Sequence, residues 1–170
     1  MDLNKYILSI PDFPKKGIIF YDITPLMANP EAYEYTISRL AKMIAETKPT
    51  KILAAESRGF FFGPAIAIKL RLPFIPIRKC GKLPRETLEV GYSLEYGQDK
   101  LCVHKADIGE GDRLAIIDDI LATGGTARAM CQMAELSKAE IACCAFFMEI
   151  GVLNGREKLG ESPVISMFVK

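Results

Sequence analysis

Leu114-Ala-Ile-Ile-Asp-Asp-Ile-Leu-Ala-Thr-Gly-Gly-Thr-Ala127 decides how this chain folds. Leu114 to Ile117 form a continuous apolar run, the pattern of a strand buried on both faces. Asp118 and Asp119 follow at its solvent-facing carboxyl end, and Thr123-Gly-Gly-Thr126 then opens a helix with Ala127, Met130, Cys131 and Ala134 at helical spacing. In open α/β sheets ligands sit beyond the carboxyl ends of strands. A helix N-terminus preceded by glycines offers free amides and a positive dipole end. With the Thr123 and Thr126 hydroxyls added, it suits a phosphate. The two carboxylates stand where they can accept hydrogen bonds from vicinal sugar hydroxyls or hold hydrated Mg²⁺. A plain strand-to-helix turn needs neither two acids nor two hydroxyls. G-x-x-x-x-G-K-[ST] is absent, and no G-x-G-x-x-G follows a strand, which argues against a kinase-type P-loop or a Rossmann dinucleotide site.

The same rhythm extends in both directions. Lys51 to Ala55, Pro73 to Ile77, Ile141 to Met148 and Val164 to Val169 read as further strands, and Gly59 to Leu70 as a helix. Asn29 reads as an N-cap with Pro30 in the first turn of an amphipathic helix reaching about residue 47. This alternation predicts an α/β fold with a mostly parallel central sheet flanked by helices. Before it, residues 10–25 read as an ordered irregular arm with a short strand at Ile18 to Phe20. The segment from Arg78 to Lys105 breaks the rhythm and reads as a projecting loop or hairpin outside the core.

The 170 residues predict a single domain over 1–170, with 49% hydrophobic and 25% charged residues in the range of globular proteins. A net charge of +1 provides no general field for nucleic acid or an anionic membrane, so anion binding must be local. Five cysteines without a C-x-x-C pair, and one histidine, do not assemble a usual zinc site. They read as small buried hydrophobes of a reduced, cytoplasmic protein, and His104 as a surface or interface residue. The opening residues carry no basic segment followed by an apolar stretch, and no apolar run is long enough to span a bilayer.

At Ile117-Asp-Asp and Leu121-Ala-Thr-Gly-Gly-Thr126 the chain resembles the type I phosphoribosyltransferases. Further segments, in the expected order, narrow the resemblance to the adenine-accepting members. They are Phe13-Pro14, Gly17-Ile-Ile-Phe20, Asp22-Ile-Thr24, Glu56-Ser-Arg-Gly-Phe60, Arg78-Lys79, Gly81-Lys-Leu-Pro84 and Tyr92-Ser-Leu-Glu-Tyr-Gly97. The resemblance implies the type I fold, with residues 1–30 as a hood and 78–105 as a projecting, flexible loop. It also implies transfer of a 5-phosphoribosyl group from its 1-pyrophosphate to N9 of adenine, giving AMP and pyrophosphate in purine salvage. Mg²⁺ would be held mainly through the pyrophosphate and ribose hydroxyls, with Asp118 and Asp119 as further ligands. Small-molecule substrates and a homodimer are implied, and neither nucleic acid nor membrane.

Each role follows the resemblance residue by residue. Ala122, Thr123, Gly124, Gly125 and Thr126 would wrap the 5-phosphate. Asp118 and Asp119 would face the ribose as C1 becomes oxocarbenium-like. Arg58, Arg78, Lys79 and Lys82 would neutralise the leaving pyrophosphate. Phe20 would stack on the purine while the Ile19 and Tyr21 backbone reads its edge, with Ile120 on the other side. Glu95 would assist loss of the N9 proton, and Tyr96 would line the substrate. Arg58 directly follows the Ile52 to Ala55 strand, a carboxyl end from which its guanidinium can reach pyrophosphate; the alternative is a surface arginine pairing with Glu56. Tyr21, Lys16 and Cys80 depart from the family pattern, and Cys80 beside three cations is a candidate reactive thiol. Two other readings are transfer to a 6-oxopurine or orotate, and a non-catalytic binder of the donor that regulates nucleic acid. The second lacks a basic surface.

Overall fold

In the computed structural model, residues 1–94 and 97–170 are described, and the chain resolves into two compact units, Met1–Arg39 and Leu40–Lys170. Each follows its own local logic.

In the first unit, β1 (Leu8–Pro11) pairs antiparallel with β2 (Ile19–Asp22), Leu8 opposite Asp22 and Pro11 opposite Ile19. The expected irregular arm is therefore a hairpin. Pro11 is tolerated because it closes a short edge strand, and the connecting loop is cinched where the Gly17 amide donates to the Asp12 carboxylate at 2.7 Å. The Asp22 carboxylate accepts from the Thr24 amide at 2.8 Å and its hydroxyl at 3.0 Å, opening α1 (Thr24–Ala28). Asn29 caps α2 (Pro30–Ala45) as its sequence predicts, accepting from the Ala32 amide at 2.9 Å.

The second unit is built on a seven-stranded sheet in the order β5-β6-β4-β3-β7-β8-β9. β3 (Lys51–Ala55), β4 (Phe74–Lys79), β7 (Arg113–Leu121), β8 (Glu140–Glu149) and β9 (Val164–Val169) run parallel. β5 (Thr87–Leu94) and β6 (Gly97–His104) join antiparallel at the β4 edge. α3 (Gly63–Leu70) connects β3 to β4, and α4 (Gly125–Leu136) connects β7 to β8. Along parallel strands successive side chains face opposite layers. Leu53, Ile75, Ile77, Leu114, Ile116 and Phe146 pack with Met130, Cys131 and Ala134 of α4. On the opposite layer Phe62 stacks on Phe147, ring centroids 5.7 Å apart. Burial on both layers explains the unbroken apolar runs. Among the described residues no helix is long and apolar enough to cross a membrane.

Three expectations are corrected here. The hairpin of 78–105 belongs to the core: Val90, Leu101 and Val103 are buried in the α4-side cluster, because β6 extends the sheet through Arg78↔Cys102 and Lys79↔Leu101. His104 is buried, its Nδ1 lying 2.7 Å from the Arg85 guanidinium and 3.3 Å from the Asp107 carboxylate. Of the five cysteines, Cys80 and Cys102 form a disulfide with Cα atoms 5.2 Å apart, whereas Cys131, Cys143 and Cys144 are free and buried. The pairing was invisible in sequence because the partners lie 22 residues apart and meet only when β6 docks on β4.

Candidate active site

β3 and β7 are adjacent strands whose crossovers leave in opposite directions, one through α3 to β4 and the other through α4 to β8. Such a divergence opens a crevice beyond the carboxyl ends of the two strands. The β3 pairing ends at Ala54↔Ile117, while β7 continues along β8 to Leu121↔Glu149. Strand β7 is thus longer than its apolar run, and Asp118, Asp119 and Ile120 lie within it.

The acids are less exposed than a free strand end allows. Asp119 is 5% exposed, and its carboxylate is ion-paired with Arg58, which the turn after β3 delivers. Arg58 therefore meets Asp119, not Glu56. An Asp118 carboxylate oxygen accepts from the Asp119 amide at 2.9 Å. Burial, followed by the negative charge of Asp119, raises the Asp118 carboxyl well above the ordinary carboxylate range, and Arg58 opposes this. One acid of the pair is thus matched by a cation, while burial and its neighbour disfavour the charged form of the other.

Residues 122–124 join β7 to α4. Gly124, at φ +77°, is the N-cap residue of α4, and as a glycine it has no side chain with which to cap the helix. The first-turn amides and the positive dipole end are left for an anion. Gly124 is also required by contact: a Cβ there would lie 2.5 Å from the Gly155 carbonyl oxygen. The converse holds at Gly155, whose added Cβ would lie 2.3 Å from the Ala122 oxygen. The loop backbone therefore rests on the 3-10 turn Gly155–Leu159. That turn is tied down where Arg156 Nε donates to both oxygens of buried Glu149, at 2.7 and 2.9 Å, and the Ser166 hydroxyl donates to the same carboxylate at 2.8 Å. The hydrogen bond from Arg156 holds the Glu149 carboxyl below its ordinary value, despite burial. Sequence reading missed this support. Its only signal was a glycine thirty residues downstream of the loop it touches.

Glu56, which sequence reading did not assign, organises the basic cluster. Its carboxylate accepts from Arg78 Nε and the Lys79 amide, each at 2.9 Å, and pairs with Lys82 Nζ at 2.9 Å. Lys79 Nζ turns to Asp99 on β6 at 2.9 Å. Burial pushes the Glu56 carboxyl up, but the Lys79 amide, Lys82 and Arg78 outweigh it and bring it to about 2. A carboxylate depressed on folding stabilises above its ordinary range, near 4.5, and that contribution is lost as pH falls from there toward about 2. Because the Lys82 and Arg78 side chains are 49% and 35% exposed, screening limits it; about 1–2 kcal/mol is expected. Thermal unfolding of wild type and Glu56→Gln should show a wild-type advantage at pH 7 that shrinks between pH 4.5 and 3. An advantage independent of pH would refute the assignment.

The structure thus brings Arg58, Asp118 and Asp119 into contact, sets Ala122 to Thr126 at the mouth of α4, and gathers Arg78 and Lys82 on Glu56. Ile120 is half-buried near the end of β7. Ile19, Phe20 and Tyr21 lie on β2 of the first unit, where the Phe20 ring meets Phe13 edge-on at 5.2 Å. Glu95 and Tyr96 fall outside the described residues. Among the described residues, Cys80, Glu89 and Cys102 form the one group of three ligand atoms close enough to share a metal ion, and two of these are joined in the disulfide.

Comparison with known proteins places this geometry. The family model of the phosphoribosyl transferase domain matches residues 27–164. The adenine phosphoribosyltransferase of Carboxydothermus hydrogenoformans is 50% identical over 167 residues, 98% of each chain. The crystal structure of adenine phosphoribosyltransferase from Thermoanaerobacter pseudethanolicus superposes with a TM-score of 0.95 at 45% identity, covering 99% of this chain and 98% of that one. The Saccharomyces cerevisiae enzyme, solved with an imino-altritol bisphosphate and adenine, gives 0.90 at 39% identity, covering 96% of this chain and 95% of that one.

Proposed function

This chain belongs to the adenine phosphoribosyltransferases, a group of pentosyltransferases, and on that premise we propose that it transfers the 5-phosphoribosyl group of 5-phospho-α-D-ribose 1-diphosphate to N9 of adenine, forming AMP and pyrophosphate. The observation that carries this reading is the acid pair followed by an uncapped, glycine-opened helix at the divergence of β3 and β7.

The 5-phosphate is assigned to the amides and hydroxyls of Ala122 to Thr126. Asp118 and Asp119 accept hydrogen bonds from the ribose hydroxyls, and their charge favours the positive C1 that develops as the pyrophosphate departs. Arg58 holds Asp119 in an ion pair. Arg78, Lys79 and Lys82 receive the growing charge of the pyrophosphate, exchanging Glu56 and Asp99 for its oxygens. The hard oxygens of Asp118 and Asp119 fit Mg²⁺, with its remaining ligands coming from the donor's pyrophosphate and ribose hydroxyls. The ion would supply charge neutralisation on the leaving group. On β2, the Phe20 ring suits a purine face, and the Ile19 and Tyr21 backbone groups its edge. Glu95 and Tyr96 keep the base-side roles that the resemblance implies, and a cytoplasmic homodimer is part of the same reading.

Purified protein with adenine, the donor and Mg²⁺ should release pyrophosphate and form AMP, with hypoxanthine, guanine and orotate turned over at least about a hundredfold less efficiently. No AMP, or equal use of hypoxanthine, would overturn the reading.

A further inference from the structure

The Cys80–Cys102 pair stands apart from the other cysteines. Cys131, Cys143 and Cys144 are buried, and none is disulfide-bonded. Cys80 lies immediately after β4, half-buried, between exposed Lys79 and exposed Gly81, so one side of the bond is within reach of solvent. Cys102 is buried in β6, opposite Arg78 on one neighbouring strand and Glu89 on the other. The 5.2 Å separation of the Cα atoms lies within the range of about 4.4–6.8 Å that a disulfide spans without moving the backbone.

The bond sits in the middle of the basic cluster. Lys79 precedes Cys80, and Lys82 follows it by two residues. In this arrangement each cation is matched by an acid of the protein: Lys79 by Asp99, and Arg78 and Lys82 by Glu56. An incoming pyrophosphate must draw these cations away from their acids. The covalent link fixes the backbone between Lys79 and Lys82 against β6, the strand that also carries Asp99.

We propose that Cys80 and Cys102 form a reversible thiol–disulfide exchange site, and that its oxidation weakens donor binding by holding the basic loop in the ion-paired arrangement. The co-reactant is a small-molecule disulfide. The Cys80 thiolate attacks it to form a mixed disulfide and release one thiol. The Cys102 thiolate then attacks the Cys80 sulfur, closes the internal bond and releases the second thiol. Two electrons pass from the cysteine sulfurs to the external disulfide, and the two cysteine protons end on the released thiols. A dithiol reverses the sequence. The consequence for donor binding rests on the assignment of Arg78, Lys79 and Lys82 to the pyrophosphate.

Full-length protein is to be treated with dithiothreitol or with oxidised glutathione, freed of reagent, alkylated under denaturing conditions and mapped by mass spectrometry. Five labels are expected after reduction and three after oxidation, with Cys80 and Cys102 unlabelled and joined. The donor KM should rise about tenfold on oxidation, the scale of one impaired charge-assisted contact, while the adenine KM stays within about twofold. Cys80→Ser should show the reduced protein's donor KM under both treatments. Cys102→Ala provides the same test from the buried partner. Five labels after oxidation, a glutathione adduct on Cys80 in place of the pair, or a redox-dependent KM that persists in both variants would overturn the site. Lys82→Ala in the reduced protein separates the two layers of the argument. If it raises the donor KM but oxidation does not, the switch is wrong. If it leaves the donor KM unchanged, the pyrophosphate assignment fails, and the proposed effect on donor binding fails with it.

Discussion

Asp118→Asn should lower kcat/KM by about a hundredfold to a thousandfold while leaving the protein folded, the magnitude seen when a preorganised group facing developing charge is removed. The fold survives because burial and the neighbouring Asp119 charge already disfavour the charged form of the Asp118 carboxyl, and asparagine keeps its size and shape without that charge. Catalysis fails because asparagine cannot supply negative charge as C1 becomes positive. The stability consequence has a definite sign. A carboxyl whose folded pKa is raised contributes fully below its unfolded value and loses that contribution as pH rises through the folded one. The Tm of Asp118→Asn relative to wild type should therefore climb as pH rises above the ordinary carboxylate value, near 3.8. Turnover within about threefold of wild type would remove Asp118 from the reaction, and a falling relative Tm would contradict its burial beside Asp119.

Gly155→Ala should raise the donor KM and reduce kcat/KM by about a hundredfold, although residue 155 carries no functional group. Its new methyl would sit 2.3 Å from the Ala122 oxygen and 3.0 Å from Leu121 Cδ1, so either the phosphate loop or the turn must retreat. The turn is held by the Arg156–Glu149–Ser166 bonds, which makes the loop the side that yields. A misplacement of about 1 Å in a positioning element costs about a hundredfold. The loss should fall on the donor, with the adenine KM nearly unchanged. Gly124→Ala should be at least as damaging, because it adds a strained φ of +77° to a 2.5 Å contact with the Gly155 oxygen. Unaltered steady-state kinetics in Gly155→Ala would show that the turn does not support the loop.

How much of this was legible in the chain depends on the sequence distance over which each interaction acts. The helix cap at Asn29, the doubly buried strands and the glycine-opened α4 are local, and each was readable because its determinants lie within a few residues. The motif of β7 therefore carried both the α/β class and the centre of the candidate site. What could not be read were pairings between distant segments. The polar, glycine-bearing start of the 78–105 segment and its alternation through Leu101, Val103 and Lys105 placed it outside the core, yet sheet extension through β6 buries Val90, Leu101 and Val103.

The acids show the same division. Their adjacency and position were written in the sequence. That Arg58 pairs with Asp119 while Glu56 collects Arg78 and Lys82 depends on how the turn after β3 lies against β7 and β4. The sequence by itself determined the kind of ligand this protein can hold, since phosphate and sugar recognition depends on residue types a few positions apart. Tertiary structure alone decided which charges are already matched, which cysteines meet and which glycine supports the 122–124 loop, because those depend on strand order and on backbones about thirty residues apart packed so closely that an added Cβ would lie less than 3 Å from a carbonyl oxygen.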